Sequence, residues 1–95
     1  MRIITEARIR EAKEKWPRAA SALELWRSLI KRNSPKDYAE LKQLNPAVDK
    51  YKDKYIFDVG GNKLRIIATV QFKAQTLYIK HVLDHKEYDQ GKWKD

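Results

Sequence analysis

The chain has 95 residues, 42% of them hydrophobic, which suffices for one small core and argues against disorder. It contains no cysteine, excluding disulfides, zinc–thiolate sites and thiol nucleophiles, and its 21 Lys and Arg against 13 Asp and Glu leave a net charge of +8. Such an excess in so short a chain favours a polyanionic partner, nucleic acid first, with a merely solubilising surface or an acidic protein partner as the alternatives.

Residues 1–5 predict a short strand, with Ile3 and Ile4 apolar and Thr5 placed to cap the next element. This start has no apolar run of signal-peptide length, and no stretch approaches a membrane span, so a soluble cytoplasmic chain without membrane contact is expected. Ile9, Ala12 and Trp16 then lie on one helical face among charged residues, and Pro17 ends that helix or opens the next. Ala19, Ala22, Leu23, Trp26, Leu29 and Ile30 follow the i, i+3, i+4, i+7 spacing of a second, strongly amphipathic helix. Ser34-Pro35 with Asp37 three residues on predicts a capped short helix over 35–44, burying Tyr38, Leu41 and Leu44. Residues 47–53 read as a charged loop.

The second half changes period. Residues 55–59 are rich in aromatic and β-branched types, and Gly60-Gly61-Asn62 supplies the positive-φ residues of a tight hairpin. Leu64, Ile66, Ala68, Val70 and Phe72 alternate with Lys63, Arg65, Ile67, Thr69 and Gln71, and residues 76–83 predict another strand. Residues 84–93 read as a polar tail with at most a helical turn. The expected fold is a single α+β domain over 1–95: an N-terminal strand, then two or three helices packed on one face of a mostly antiparallel sheet of about four strands.

Parity assigns the faces. The continuous apolar side, Leu64 to Val70, must meet the helices, leaving Lys63 and Arg65 on the opposite, helix-free side. Tyr78 and Lys80 alternate with Leu77 and Ile79, which puts them on the same open side and places His81 at the core edge. Cations beside an aromatic ring suit RNA, whose phosphates and bases they meet.

The segments FDVGGNKLRIIATV (57–70) and TLYIKHVLDHKEYDQGKWKD (76–95) resemble the HigB toxins of the RelE superfamily. The earlier helices agree in order and length, including Trp26 and Ala39-Glu40-Leu41. The resemblance implies a ribosome-dependent mRNA endoribonuclease, or mRNA interferase, that uses the RNA's own 2′-hydroxyl as nucleophile and needs neither metal nor other cofactor. It also implies a silencing HigA-like antitoxin and a toxin–antitoxin heterotetramer.

Carried over by position, the catalytic candidates are Arg65, Lys80, His85 and Tyr88. Arg65 would stabilise transition-state charge and Lys80 would clamp phosphate as a point charge; the plain alternative for Arg65 is a solvated strand cation. His85 is the expected proton-transfer group, since an imidazole titrates near neutrality, and Tyr88 would stack on a base or carry a proton. For both, a C-terminal packing contact is the alternative. Asp84 and Asp89 would orient His85 or cap the turn. Lys63, Tyr78 and Lys92 are the expected RNA-binding residues, and Trp93 is expected to pack or to contact a partner. Relatives of the ParE kind share the fold, bind a topoisomerase and generally lack the His–Tyr ending; an RNA- or DNA-binding accessory protein is the other rival.

Overall fold

The first and last strands lie side by side: β1 (Arg2–Ile4) pairs in parallel with β5 (Thr76–Asp84), Ile3 opposite Leu77. A computed structural model of the chain describes residues 1–61 and 63–94. Among these, β2 (Asp49–Tyr51), β3 (Lys54–Val59) and β4 (Leu64–Gln71) complete one five-stranded sheet of order β1-β5-β4-β3-β2, antiparallel except at β1. Helices α1 (Ala7–Lys15), α2 (Ala20–Arg32) and α3 (Tyr38–Leu44) precede β2, and α4 (His85–Asp89) comes after β5. No helix among the described residues is long and apolar enough to cross a membrane.

The main core forms where the predicted stripes meet. Ile9 and Ala12 of α1 and Leu23, Trp26 and Ile30 of α2 pack on Phe57, Leu64, Ile66, Ala68 and Leu77. The Trp26 ring meets Phe57 edge to face at 5.3 Å. Fully burying a side chain such as Leu23 or Ile66 contributes about 1.5–3 kcal/mol, so this layer holds most of the fold's stability. Gly60 and Gly61 adopt φ of +68° and +62°, as the hairpin requires; Asn62, expected beside them, lies outside the described residues.

Local chemistry departs from the sequence expectations at several joints. Thr5 caps nothing: its backbone is left-handed and its hydroxyl donates to the Ile79 carbonyl at 2.9 Å, tying the β1–α1 corner to β5. Pro17 opens a short 3₁₀ turn, Pro17–Ala19, between α1 and α2. Helix α3 starts three residues later than expected. Asp37 itself is its cap, accepting from the Glu40 amide at 2.9 Å, while Pro35 stays outside with its carbonyl taken by the Gln75 side chain. Asp37 wins because its carboxylate is a better acceptor for a first-turn amide than the Ser34 hydroxyl.

The supposed charged loop contains β2, a three-residue edge strand turned by Lys52 at φ +56°. Backbone pairing to β3 forms it without an apolar pattern, and short, Lys-bearing edge strands are poor templates for unwanted pairing. The polar tail is ordered as α4 and a 3₁₀ turn, Lys92–Lys94. Together they cover part of the sheet face that parity had left free of helices. Trp93, 4% exposed, packs on Ile56 and Ile67, the apolar pair that face carries at its centre.

Candidate functional site

Cross-strand register arranges the second face of the sheet in rows. Asp58, Arg65 and Leu83 form the first; Asp49, Ile56, Ile67 and His81 the second; Tyr51, Lys54, Thr69 and Tyr78 the third. The C-terminal segment lies across the β2–β4 side of these rows. Trp93 meets Tyr51 edge to face at 5.5 Å and stacks on Tyr88 at 5.2 Å, and its indole donates to the Tyr88 carbonyl at 2.9 Å. Tyr78 and His81 on β5 are half-buried, His81 opposite Ile67.

Arg65 lies on the expected face but is not an open surface cation. Its Nε is 2.7 Å from Asp58 Oδ1, its guanidinium sits 5.1 Å from the Tyr88 ring centroid, and its side chain is 12% exposed. Asp58 is its cross-strand partner, so the sheet register builds the pair and the Tyr88–Trp93 stack roofs it. A fixed charge with little surrounding water acts more strongly on a nearby anion than a solvated one. Burial, reinforced by Asp49, Asp58 and Asp89 and opposed by Arg65, raises the Tyr88 phenol above its usual value, so it stays protonated at neutral pH and can donate.

A capping box starts α4. Asp84 Oδ1 accepts from the Glu87 amide at 2.8 Å, and Glu87 Oε1 accepts from the Asp84 amide at 3.1 Å. Asp84 therefore caps, whereas Asp89 reaches His85, with 3.4 Å between Oδ2 and Nε2. His85 is 65% exposed, in contrast to the half-buried Tyr88 three residues on. Lys63 and Lys92 are exposed, the first at the β3–β4 turn and the second in the terminal 3₁₀ turn.

The sequence reading of β5 fails at one point. Ile79 faces Ala68 and His81 faces Ile67, so Lys80 is the extra residue of a β-bulge. Two residues then oppose one step of β4, and His81 moves from the core edge to the side of Ile67 and Arg65. Lys80 is exposed, with its ammonium 5.8 Å from the Tyr78 ring. The bulge leaves a trace in the sequence: after Leu77 and Ile79, the next residue packed on the main core is Val82 and not residue 81, a spacing of three where strict alternation requires two. Burial first, then the charges of Arg8, Lys54 and Lys80, push the His81 imidazole below its ordinary value and keep it neutral at neutral pH. Asp58, Arg8 and Lys54 carried no signal in the sequence, because only the packing brings them to these partners.

Residues 19–91 match the family described as HigB toxin, the RelE-like toxic component of a toxin–antitoxin system. The chain is 41% identical over 92 residues to the mRNA interferase toxin HigB of Escherichia coli strain K12, covering 94% of this chain and 88% of that protein. The mRNA interferase HigB of Shigella flexneri aligns with the same identity and coverage, and that of Escherichia coli O6:H1 is 38% identical over 94% of this chain and 89% of its own length. The matched span contains both the Arg65–Asp58–Tyr88 cluster and the bulged strand. The chain belongs to the HigB toxin family of RelE-like toxins.

Proposed function

We propose that this toxin is a ribosome-dependent mRNA interferase: it cuts messenger RNA by directing the RNA's own 2′-hydroxyl at the adjacent phosphorus. The observation that carries this reading is the Arg65–Asp58–Tyr88 cluster, a fixed cation 5.1 Å from the ring centroid of a protonated tyrosine on a sheet face rimmed by lysines. Arg65 supplies preorganised positive charge where the phosphorane develops, and Tyr88 protonates the departing 5′-oxygen. Lys80 clamps a phosphate, Lys63 and Lys92 hold the strand on either side, and Tyr78 offers a ring for base stacking. His85 belongs with this group as a second titratable side chain at the start of α4. A HigA-like antitoxin silences the toxin in a heterotetramer, and the pair works in the cytoplasm, where translated message is found.

The direct test adds purified chain to ribosomes carrying a translated message and maps the new ends. Cutting with a 2′,3′-cyclic phosphate on the upstream fragment, abolished by the co-expressed antitoxin, is the expected result. Tight association without cutting would turn the assignment toward the non-cleaving or accessory readings.

The net charge of +8 makes a second, separable prediction. If it engages RNA, log affinity falls linearly with log salt, with a slope of several units. Lys63→Ala and Lys80→Ala each lower that slope by about one unit. A flat salt response would show that the excess charge serves solubility instead.

A further inference from the structure

The nuclease reading leaves one histidine without a task, although the fold spends a strand irregularity on it. The bulge at Lys80 sets Lys80 and His81 against a single step of β4 and aims His81 at the face that carries Arg65. His81 is opposite Ile67 and Leu83 is opposite Arg65, so His81 and Arg65 are diagonal neighbours on adjacent strands, a separation of about 7–8 Å in such ladders. A phosphodiester with its vicinal hydroxyl fits across that distance. The Tyr88–Trp93 roof closes over β3 and β4 and leaves this part of β5 half-open.

Among the described residues, the charged groups that shift His81 come from three elements and are cations: Arg8 from α1, Lys54 from β3 and Lys80 beside it on β5. Such a set attracts a phosphate and leaves the imidazole neutral, the form that accepts a proton. His85 has the opposite setting, with the Asp89 carboxylate 3.4 Å away, which repels a phosphate.

We propose that His81, turned onto the RNA-facing side by the β-bulge, is the base that takes the proton of the attacking 2′-hydroxyl. This assignment rests on the nuclease reading and gives the proton-accepting step to His81, where His85 was the expected proton-transfer group. As the 2′-oxygen forms its bond to phosphorus, its proton passes to the free imidazole nitrogen of His81. The bond from phosphorus to the 5′-oxygen breaks, and that oxygen takes the Tyr88 phenolic proton. The products are a 2′,3′-cyclic phosphate and a 5′-hydroxyl. Protonated His81 and ionised Tyr88 then return to their starting forms by exchange with water.

The test measures single-turnover cutting of ribosome-bound message by wild type, His81→Gln and His81→Ala, together with ribosome association and thermal unfolding. Glutamine retains polarity and approximate size but cannot relay a proton, and its rate is expected to fall about 10²–10³-fold with association and melting near wild type. Added imidazole restores part of the His81→Ala rate, which a merely structural role would not allow. The wild-type rate climbs with pH through a titration below the ordinary histidine value and levels off by neutrality, and this acid limb disappears in His81→Gln. Wild-type cutting matched by His81→Gln overturns the assignment and leaves the nuclease reading standing. A wild-type chain that binds the programmed ribosome without cutting overturns that reading and this one together. If both variants melt early, the wild-type profile decides, and a rate independent of pH across the mildly acidic range overturns the proposal.

Discussion

A message carrying a 2′-deoxy nucleotide at the scissile position should resist cutting by several orders of magnitude while binding the toxin–ribosome complex almost normally. The substitution removes the nucleophile itself. Attack by a vicinal hydroxyl is intramolecular, and well-placed neighbouring groups react as though present at about 10⁵ M or more, an advantage that a water molecule does not possess. A water nucleophile would also need strong activation from a metal or a dedicated base. The measurement compares single-turnover rates on otherwise identical ribosome-programmed messages, which avoids chelators and their damage to the magnesium-dependent ribosome. Efficient cutting of the deoxy message would end the 2′-hydroxyl mechanism, the proton transfer to His81 included.

Arg65→Ala is expected to lower the cutting rate by about 10²–10³, the typical cost of removing one preorganised transition-state donor. The structure adds a second consequence. Arg65 is held by Asp58 at 2.7 Å and roofed by Tyr88, so its removal leaves Asp58 without its cross-strand cation and Tyr88 without its cation–π contact, although the stack on Trp93 remains. Because Asp58 remains partly exposed, the stability loss should stay near 1 kcal/mol. The rate loss corresponds to about 2.7–4 kcal/mol of transition-state stabilisation, so activity and not folding is the discriminating readout. Arg65→Lys keeps the charge without the planar fork and should fall between wild type and alanine. Circular dichroism and thermal melting accompany the assay; a folded Arg65→Ala protein that still cuts at the wild-type rate would remove Arg65 from the chemistry.

The sequence determined the architecture because its signals are local and periodic. The α2 stripe through Leu23, Trp26 and Ile30, the alternation from Leu64 to Val70 and the Gly60-Gly61 turn each fix an element within a few residues, and each is found as expected. The same alternation placed Arg65 and Tyr78 on the face away from the main core, and the C-terminal motif carried the family.

Tertiary structure alone decided what covers that face and which side chains meet on it. Trp93 reaches Ile56 and Ile67 across more than twenty residues of chain, and this long-range burial turns a polar tail into a roof over Arg65. Edge strand β2 exists because β3 offers unpaired backbone, a condition invisible in the composition of residues 49–51. At Lys80 a single added residue reverses the face of His81. Alternation extrapolated along a strand holds only while both partner strands advance together, and the pairing of β4 with β5 breaks that condition between Ile67 and Ala68.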